Sequence, residues 1–154
     1  MRVILPGSYD PVTLGHLWVI KEAAKKYGEV FAVAFINPDK NYSFTESERL
    51  RMLELATADI PGVRVDFSEG TVVDYMQKNG IEKIVKGYRN ARDLEYERRQ
   101  AEYNERRGGF VTELIKCPTE FEGISSSAAR LAIESGAPLS DFLPKSVAEF
   151  IKNR

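Results

Sequence analysis

The sequence predicts a doubly wound α/β fold, with five parallel strands in a single domain over residues 1–154. Strand-like and helix-like patterns alternate along the whole chain, which is typical of successive βαβ units. The segment 29–36 is an unbroken apolar run, as expected of a parallel strand that helices cover on both faces. The length of 154 residues allows one domain with a substantial core and is short for two.

The first two strands and helices are marked by apolar patterning and by a helix cap. Residues 3–5 are apolar and bounded by Pro and Gly, which indicates a buried strand. Apolar residues then recur at helical spacing over 17–27, with lysines on the opposite face. After the second strand, Thr45 and Glu48 form a capping-box pattern that predicts a helix running to the Pro-Gly stop at 61–62.

The second half of the chain continues the same alternation. Alternating apolar residues at 63–67 predict a third strand, and the helix expected over 70–79 ends at Gly80. The remaining predicted elements are a short strand at 84–85, a long charged helix at 91–107, a strand at 111–116, and helices at 125–134 and 144–152.

The turn after the first strand is the most distinctive stretch of the chain. It reads PGSYDPVTLGH over residues 6–16 and ends in the only histidine, His16. In a doubly wound sheet, the binding crevice lies outside the carboxyl ends of the strands, where the strand order reverses. The loops after the first four strands reach that edge, and a helix start there offers unpaired N–H groups and a partial positive charge. We therefore expect the functional site at this edge.

Composition excludes several other classes of function. The net charge of −1 gives no global attraction to nucleic acid or to a membrane surface, so neither is an expected partner. The N-terminal segment has neither the charge pattern of a signal peptide nor the length of a membrane span. The single cysteine, Cys117, cannot form an internal disulfide and is predicted to be a buried strand residue. A cytoplasmic protein is expected.

Cations and hydroxyl groups follow the predicted strands, without the residue sets of most hydrolytic or metal sites. The crevice has no carboxylate pair, no Cys/His metal set, no Ser-His-Asp order and no Walker-type glycine loop. Such a crevice can bind polyphosphate and stabilise charge that develops at phosphorus, which is most of what nucleotidyl transfer requires. The residues predicted to do so are Ser8, His16, Lys40, Lys86, Arg89, Ser125, Ser126 and Ser127.

Several segments resemble one enzyme family. The turn with Thr13 and His16 is similar to the (His/Thr)-x-Gly-His signature of nucleotidyltransferases, and the Thr form is the usual one in bacterial phosphopantetheine adenylyltransferases. Four further segments are similar to sequences of that family: NPDK at 37–40, KGYR at 86–89, DLEYE at 93–97 and ISSS at 124–127.

The resemblance implies a Rossmann-like nucleotidyltransferase fold and a specific reaction. The adenylyl group of ATP would pass to 4′-phosphopantetheine, giving dephospho-coenzyme A and pyrophosphate in coenzyme A synthesis. The resemblance also implies a homo-hexamer and Mg²⁺ that accompanies the nucleotide without a dedicated set of protein ligands. The sequence makes no prediction about feedback inhibition of the reaction by coenzyme A.

The resemblance also implies the role of each site residue. His16 would contact the ATP phosphates and stabilise the transition state, Ser8 would act from the opposite side, and Lys40 would bind phosphate near the reacting centre. The ATP site would comprise Ser8, Tyr9, His16, Gly87, Tyr88, Arg89, Glu97, Phe121, Ile124, Ser125, Ser126 and Ser127. The acceptor site would comprise Ser8, Lys40, Thr71, Val72 and Lys86.

Two departures from the family pattern fall on the acceptor side. Lys86 stands where the family has an arginine, so the charge is kept and the bidentate fork is lost. Thr71 stands where an apolar residue is usual. Two alternatives therefore stay open: a relative that adenylylates or cytidylylates another phosphorylated acceptor, such as nicotinate mononucleotide, and a catalytically silent nucleotide-binding module.

Overall fold

Five parallel strands form one sheet in the computed structural model, which describes residues 1–154. The strands are β1 (Arg2–Gly7), β2 (Glu29–Phe35), β3 (Val63–Ser68), β4 (Lys83–Tyr88) and β5 (Thr112–Lys116). Their order across the sheet is β3-β2-β1-β4-β5, and every neighbouring pair is parallel. This doubly wound arrangement confirms the predicted fold class.

Six α-helices connect and flank the strands. They are α1 (Leu14–Tyr27), α2 (Glu46–Thr57), α3 (Val72–Asn79), α4 (Ala91–Gly108), α5 (Ser126–Ser135) and α6 (Lys145–Asn153). The capping box of Thr45 and Glu48 starts α2 as predicted, and Gly80 ends α3 in the left-handed conformation. A single 3₁₀ turn at Thr119–Phe121 was not predicted. None of these helices has both the length and the apolar character needed to cross a membrane.

Successive residues of the central strand contribute to opposite faces of the sheet. Val3 and Leu5 of β1 belong to a cluster of 22 buried residues, whereas Ile4 belongs to a separate cluster of 7. The larger cluster includes residues of α1, α2, α5 and α6, and the smaller one includes Tyr75 and Met76 of α3. Because both faces of β1 and β2 are covered, these strands read as continuous apolar runs.

A crevice opens where β1 and β4 part. The two strands pair only through Val3 with Lys83 and Ile4 with Ile84, although β1 continues to Gly7 and β4 to Tyr88. The predicted strand at 84–85 was therefore too short. Its apolar pattern breaks at Lys86 because the end of β4 borders the crevice, while β4 still pairs with β5 as far as Tyr88. The gap lies where the strand order reverses, which is where ligands bind in such sheets.

Candidate active site

A cavity of about 250 Å³ lies between the ends of β1 and β4 and the first turns of α1 and α5. It joins residues that are far apart in the chain, as expected for loops that meet at one edge of a parallel sheet. Of the residues predicted to bind ATP, those that line this cavity are Tyr9, His16, Gly87, Arg89, Glu97, Ile124, Ser125 and Ser126. Lys86, predicted on the acceptor side, lines it as well.

The turn at 6–16 is fixed by buried hydrogen bonds. Tyr9 adopts a positive φ of 49°, and its hydroxyl donates to the carbonyl oxygen of Leu5 at 2.8 Å. The ring of Tyr9 is buried and packs edge-on against the ring of His16, with centroids 4.9 Å apart. The phenol ring of Tyr9 therefore supports the ring of His16, and its buried hydroxyl already has a hydrogen-bond acceptor in the carbonyl of Leu5.

His16 is part of the cap of α1. The N–H of Thr13 donates to Nδ1 of His16 at 3.0 Å, while the N–H of His16 donates to Oγ1 of Thr13 at 3.3 Å. Because Nδ1 accepts a backbone hydrogen bond, the neutral ring carries its proton on Nε2. The ring of His16 folds back on this cap while it lines the cavity. Thr13 therefore affects the site by capping the helix that carries His16.

The surroundings of His16 keep it uncharged. Burial is the main cause, and the positive charges of Lys86 and Arg89 add to it; together they lower the pKa of His16 to about 3. In the folded protein the imidazole is therefore a neutral hydrogen-bond donor across the physiological pH range. It is suited to donate to a phosphate oxygen and not to act as a cation.

This lowered pKa predicts an acid sensitivity that depends on His16. The unfolded chain binds a proton at histidine near pH 6.5 and the native ring only near pH 3, so stability is lost as pH falls between these values. The loss is up to about 1.4 kcal/mol for each pH unit. His16→Gln keeps the capping acceptor and has no imidazole to titrate. Urea unfolding from pH 7 to 4 should therefore show a shallower pH dependence in His16→Gln; equal slopes would contradict the prediction.

A second cavity, of about 450 Å³, adjoins the first. Lys86 and Glu97 line both cavities and lie at their junction. The ammonium of Lys86 donates to the carbonyl oxygen of Pro6 at 3.0 Å and lies 3.3 Å from Oε2 of Glu97. Glu97 is the only buried residue of α4, and Lys86 is the cation that compensates its charge. Ser8 and Val72, both predicted on the acceptor side, line the second cavity.

Ser8 and Lys40 come together although they lie on different loops. The ammonium of Lys40 donates to Oγ of Ser8 at 3.3 Å. Ser8 is half-buried and Lys40 is exposed, and Lys40 lines neither cavity. The pair therefore puts a cation and a hydroxyl at the rim of the second cavity, close to the turn that carries His16.

The start of α5 faces the first cavity. Oγ of Ser125 caps the helix by accepting from the N–H of Ala128 at 3.0 Å, and the hydroxyl of Ser126 donates to the carbonyl oxygen of Pro11 at 2.9 Å. These two serines line the cavity, whereas Ser127 accepts from Arg130 and lies outside it. The helix start provides a partial positive charge beside the turn at 6–16.

Four predicted residues have contacts away from both cavities. The side chain of Thr71 caps α3 by accepting from the N–H of Asp74 at 3.1 Å, a position that favours Thr. This explains Thr71 as a helix cap. Phe121 packs against Trp18, with ring centroids 6.4 Å apart, and Tyr88 lies at the end of β4 in register with Lys116. The fourth, Ser127, is described above.

Arg89 is oriented by a neighbouring carboxylate. Its Nε lies 2.9 Å from Oδ2 of Asp93, and its NH2 donates to Oδ1 of the same residue at 3.2 Å. The bidentate pair fixes the plane of the guanidinium at the wall of the first cavity. The sequence placed Arg89 at the crevice, and the structure has it there, paired with Asp93.

Three residues near the site were missed by the sequence analysis. Arg49 donates to the carbonyl oxygen of Ser8, and Arg130 donates to the carbonyl oxygen of Asp10. The buried carboxylate of Asp10 accepts from the backbone N–H groups of Ser43 and Phe44. These contacts join α2, α5 and the loop before α2 to the turn at 6–16. No local sequence pattern indicates them, because each partner is distant in the chain.

Gly87 is packed so closely that a larger residue should be destabilising. A Cβ at this position would lie 2.5 Å from Cγ2 of Val19 and 3.2 Å from Sγ of Cys117. We expect Gly87→Ala to lower the free energy of unfolding by about 1–3 kcal/mol through overpacking. Gly123→Ala is the matched control, since nothing lies within 4 Å of its Cβ. Urea denaturation of both variants tests this, and equal stabilities would refute it.

Cys117 is buried as predicted, but it follows β5 and does not belong to it. Burial raises the pKa of its thiol, so little thiolate forms at neutral pH. The residue therefore contributes packing against Gly87 and the wall of the first cavity, not a nucleophile.

Comparison with known proteins identifies the family. The sequence model of the cytidylyltransferase-like family matches residues 4–132. The chain belongs to this family. It is also 40% identical over 151 residues to the phosphopantetheine adenylyltransferase of Corynebacterium diphtheriae, an alignment that covers 97% of this chain and 95% of that relative. The predicted family relationship is thus confirmed, and every residue that lines the two cavities lies within the matched segment of the cytidylyltransferase-like family.

Proposed function

We propose that this chain transfers the adenylyl group of ATP to 4′-phosphopantetheine, giving dephospho-coenzyme A and pyrophosphate in coenzyme A synthesis. The observation that carries the proposal is the junction of two cavities at Lys86 and Glu97, with the neutral donor His16 in the first cavity. Two adjoining cavities suit a reaction that brings a nucleotide and a phosphorylated acceptor together. The choice of acceptor rests on the name of the relative from Corynebacterium diphtheriae.

ATP is assigned to the first cavity. The start of α5 and the guanidinium of Arg89 supply positive potential there for phosphate groups. Gly87, which has no room for a Cβ against Val19 and Cys117, brings the backbone of β4 to the wall of this cavity. The proposed ATP-binding residues are Ser8, Tyr9, His16, Gly87, Tyr88, Arg89, Glu97, Phe121, Ile124, Ser125, Ser126 and Ser127.

The acceptor is assigned to the second cavity. Its phosphate would lie near Ser8, Lys40 and Lys86, and the apolar side of the cavity would take the pantetheine arm beside Val72. Thr71 would lie beside this arm at the start of α3, which its hydroxyl caps. The proposed acceptor-binding residues are Ser8, Lys40, Thr71, Val72 and Lys86.

The proposed reaction is a single in-line displacement. A phosphate oxygen of the acceptor forms a bond to the α-phosphorus of ATP while the bond to the bridging oxygen breaks, and that electron pair leaves with pyrophosphate. Charge builds on the oxygens around the α-phosphorus, where Nε2–H of His16, the hydroxyl of Ser8 and the ammonium of Lys40 can donate to it. No group of the chain needs to form a covalent intermediate, since positioning and electrostatics supply most of the catalysis.

Mg²⁺ is proposed to enter with the nucleotide. The chain has no group of three or more His, Cys, Asp or Glu side chains able to hold a metal ion. Magnesium commonly keeps several waters and binds substrate phosphates, so a site without such a cluster fits this ion. When bound, Mg²⁺ would neutralise part of the charge on the phosphates, and the side chains described above would orient them.

The first test is a coupled measurement of both products. Purified protein is incubated with ATP, Mg²⁺ and 4′-phosphopantetheine, and pyrophosphate and dephospho-coenzyme A are followed together. Equal amounts of the two products support the proposal. Pantetheine, which lacks the phosphate, is the matched negative acceptor, while nicotinate mononucleotide and CTP test the related transferases. ATP binding without any product would assign the chain to another acceptor or to a silent nucleotide-binding module.

The assembly is proposed on the family resemblance, and the location on cysteine usage. We expect a homo-hexamer in the cytoplasm, where a chain with a single thiol and no disulfide is stable. Light scattering coupled to size exclusion would give about six times the 17.4 kDa of one chain. A monomer at micromolar concentration would contradict the hexamer without affecting the proposed reaction. Neither nucleic acid nor membrane is proposed as a partner.

A further inference from the structure

Arg49 is a buried cation for which the proposed reaction has no role. It is 1% exposed, it forms no ion pair, and its Nε has no hydrogen-bond partner. The other buried charged side chains, Asp10 and Glu97, each have hydrogen-bond or ionic partners. Arginine cannot shed its proton in a protein, and an uncompensated buried charge is costly. A residue kept in this state next to the site therefore needs an explanation beyond packing.

The guanidinium of Arg49 contacts two loops at once. NH1 donates to the carbonyl oxygen of Ser8 at 2.9 Å, in the turn after β1. Cζ lies 3.9 Å above the centre of the Tyr42 ring, in the loop after β2. The hydroxyl of Tyr42 in turn accepts from the N–H of Asn37 at 2.8 Å, so Tyr42 also closes its own loop. Arg49 thus connects the turn after β1 to the loop after β2.

Each of these loops carries one half of the Ser8–Lys40 pair. Lys40 is exposed and lies between Asn37 and Tyr42, and its ammonium is 5.4 Å from the Tyr42 ring and 3.3 Å from Oγ of Ser8. An exposed lysine on a loop has many rotamers, so a defined position over Ser8 requires that both loops be fixed. The planar guanidinium can bond one loop along its edge and stack on the other with its face, which an ammonium cannot do.

We infer that Arg49 is a positioning residue. Its guanidinium holds the loop after β1 and the loop after β2 in the relative position that brings the side chains of Ser8 and Lys40 together. It does not line either cavity and acts only through Ser8 and Tyr42. The kinetic part of this inference rests on the proposed function. The structural part, which is the relative position of the two loops, does not.

Arg49→Lys tests the kinetic part, because it keeps the charge and removes the planar fork. We expect kcat to fall by about 10- to 100-fold, as for a small misplacement of groups at a reacting centre, with a smaller change in the KM for ATP. Arg64→Lys is the matched control: this arginine also stacks on a ring, 5.6 Å from that of Phe31, but on β3 away from the cavities. Wild-type kcat in Arg49→Lys, measured per folded molecule, would overturn the inference.

Coupling to Lys40 separates positioning from general stability. If Arg49 acts by placing Lys40, Lys40→Ala should reduce kcat much less in the Arg49→Lys background than in the wild type. Tyr42→Leu removes the ring on which Arg49 stacks and should reproduce the loss of kcat. Independent, multiplicative effects of Arg49→Lys and Lys40→Ala would show a merely structural role and overturn the inference.

Hydrogen exchange decides the structural part even if the proposed acceptor is wrong. In folded Arg49→Lys, the amide of Asn37 and the segment 37–42 should exchange faster than in the wild type and in Arg64→Lys, with the core strands unchanged. Unchanged exchange in this segment would overturn the inference. If the wild type forms no pyrophosphate from ATP and 4′-phosphopantetheine, the proposed function fails, and this exchange measurement still tests Arg49.

Discussion

Replacing His16 with Gln is expected to lower kcat by about 10²- to 10³-fold at saturating ATP, the cost of losing one aimed hydrogen-bond donor at a developing charge. The lowered pKa of His16 makes its ring a neutral donor, and the bond from Thr13 to Nδ1 leaves the proton on Nε2. Gln can replace the capping acceptor at this position of the helix but does not reproduce the reach and rigidity of the ring. Release of pyrophosphate measures the loss.

A second variant at the same position separates catalysis from helix capping. His16→Ala loses the capping acceptor as well as the donor, so it should match His16→Gln in kcat and unfold more easily by up to about 1 kcal/mol. Thermal melts of both variants, run beside the kinetics, distinguish the two effects. Wild-type turnover in either variant at saturating ATP would remove His16 from the proposed mechanism.

The fold could be predicted because its signals are local. The capping box of Thr45 and Glu48, the stop at Gly80 and the apolar runs of the first two strands each report on a few neighbouring residues. The predicted strand at 84–85 was too short because the rest of β4 is determined by contacts with distant residues. The end of β4 is held by β5 and borders the crevice, so its side chains do not follow the apolar pattern of a covered strand.

The site could be predicted at the level of loops and not at the level of contacts. Strand ends place Ser8, His16, Lys40 and Lys86 at one edge of the sheet, and the structure has them there. The pattern cannot say that Lys40 contacts Ser8 or that Arg49 bonds to the same loop, because these contacts depend on how the loops after β1 and β2 pack with α2. The roles assigned to these residues stay predictions until the variants are measured.

Thr71 shows that a departure from a family pattern can have a local structural reason. By comparison with the family, a threonine there would alter the acceptor site directly. The structure gives a local reason, since its hydroxyl caps α3 and its neighbour Val72 is the residue that lines the second cavity. The cap spans only the four residues from Thr71 to Asp74, so this reason was available from the sequence alone.

Lys86→Met is expected to raise the KM for 4′-phosphopantetheine by about 10- to 100-fold, since a hydrogen bond to a charged group contributes about 1.5–3 kcal/mol. The variant should also be less stable, because Glu97 is buried and its carboxylate loses the cation 3.3 Å away. Steady-state kinetics with varied acceptor, at saturating ATP, measure the first effect, and urea unfolding measures the second.

A double variant separates these two effects of Lys86. Lys86→Met combined with Glu97→Gln removes the uncompensated charge, so stability should recover while the KM for the acceptor stays high. Lys86→Arg keeps the positive charge beside Glu97 and introduces a bidentate fork, so its KM should equal or fall below that of the wild type. Recovery of KM together with stability in the double variant would mean that Lys86 serves only to neutralise Glu97. The acceptor phosphate would then have to be bound by other groups, such as Lys40, which contacts Ser8.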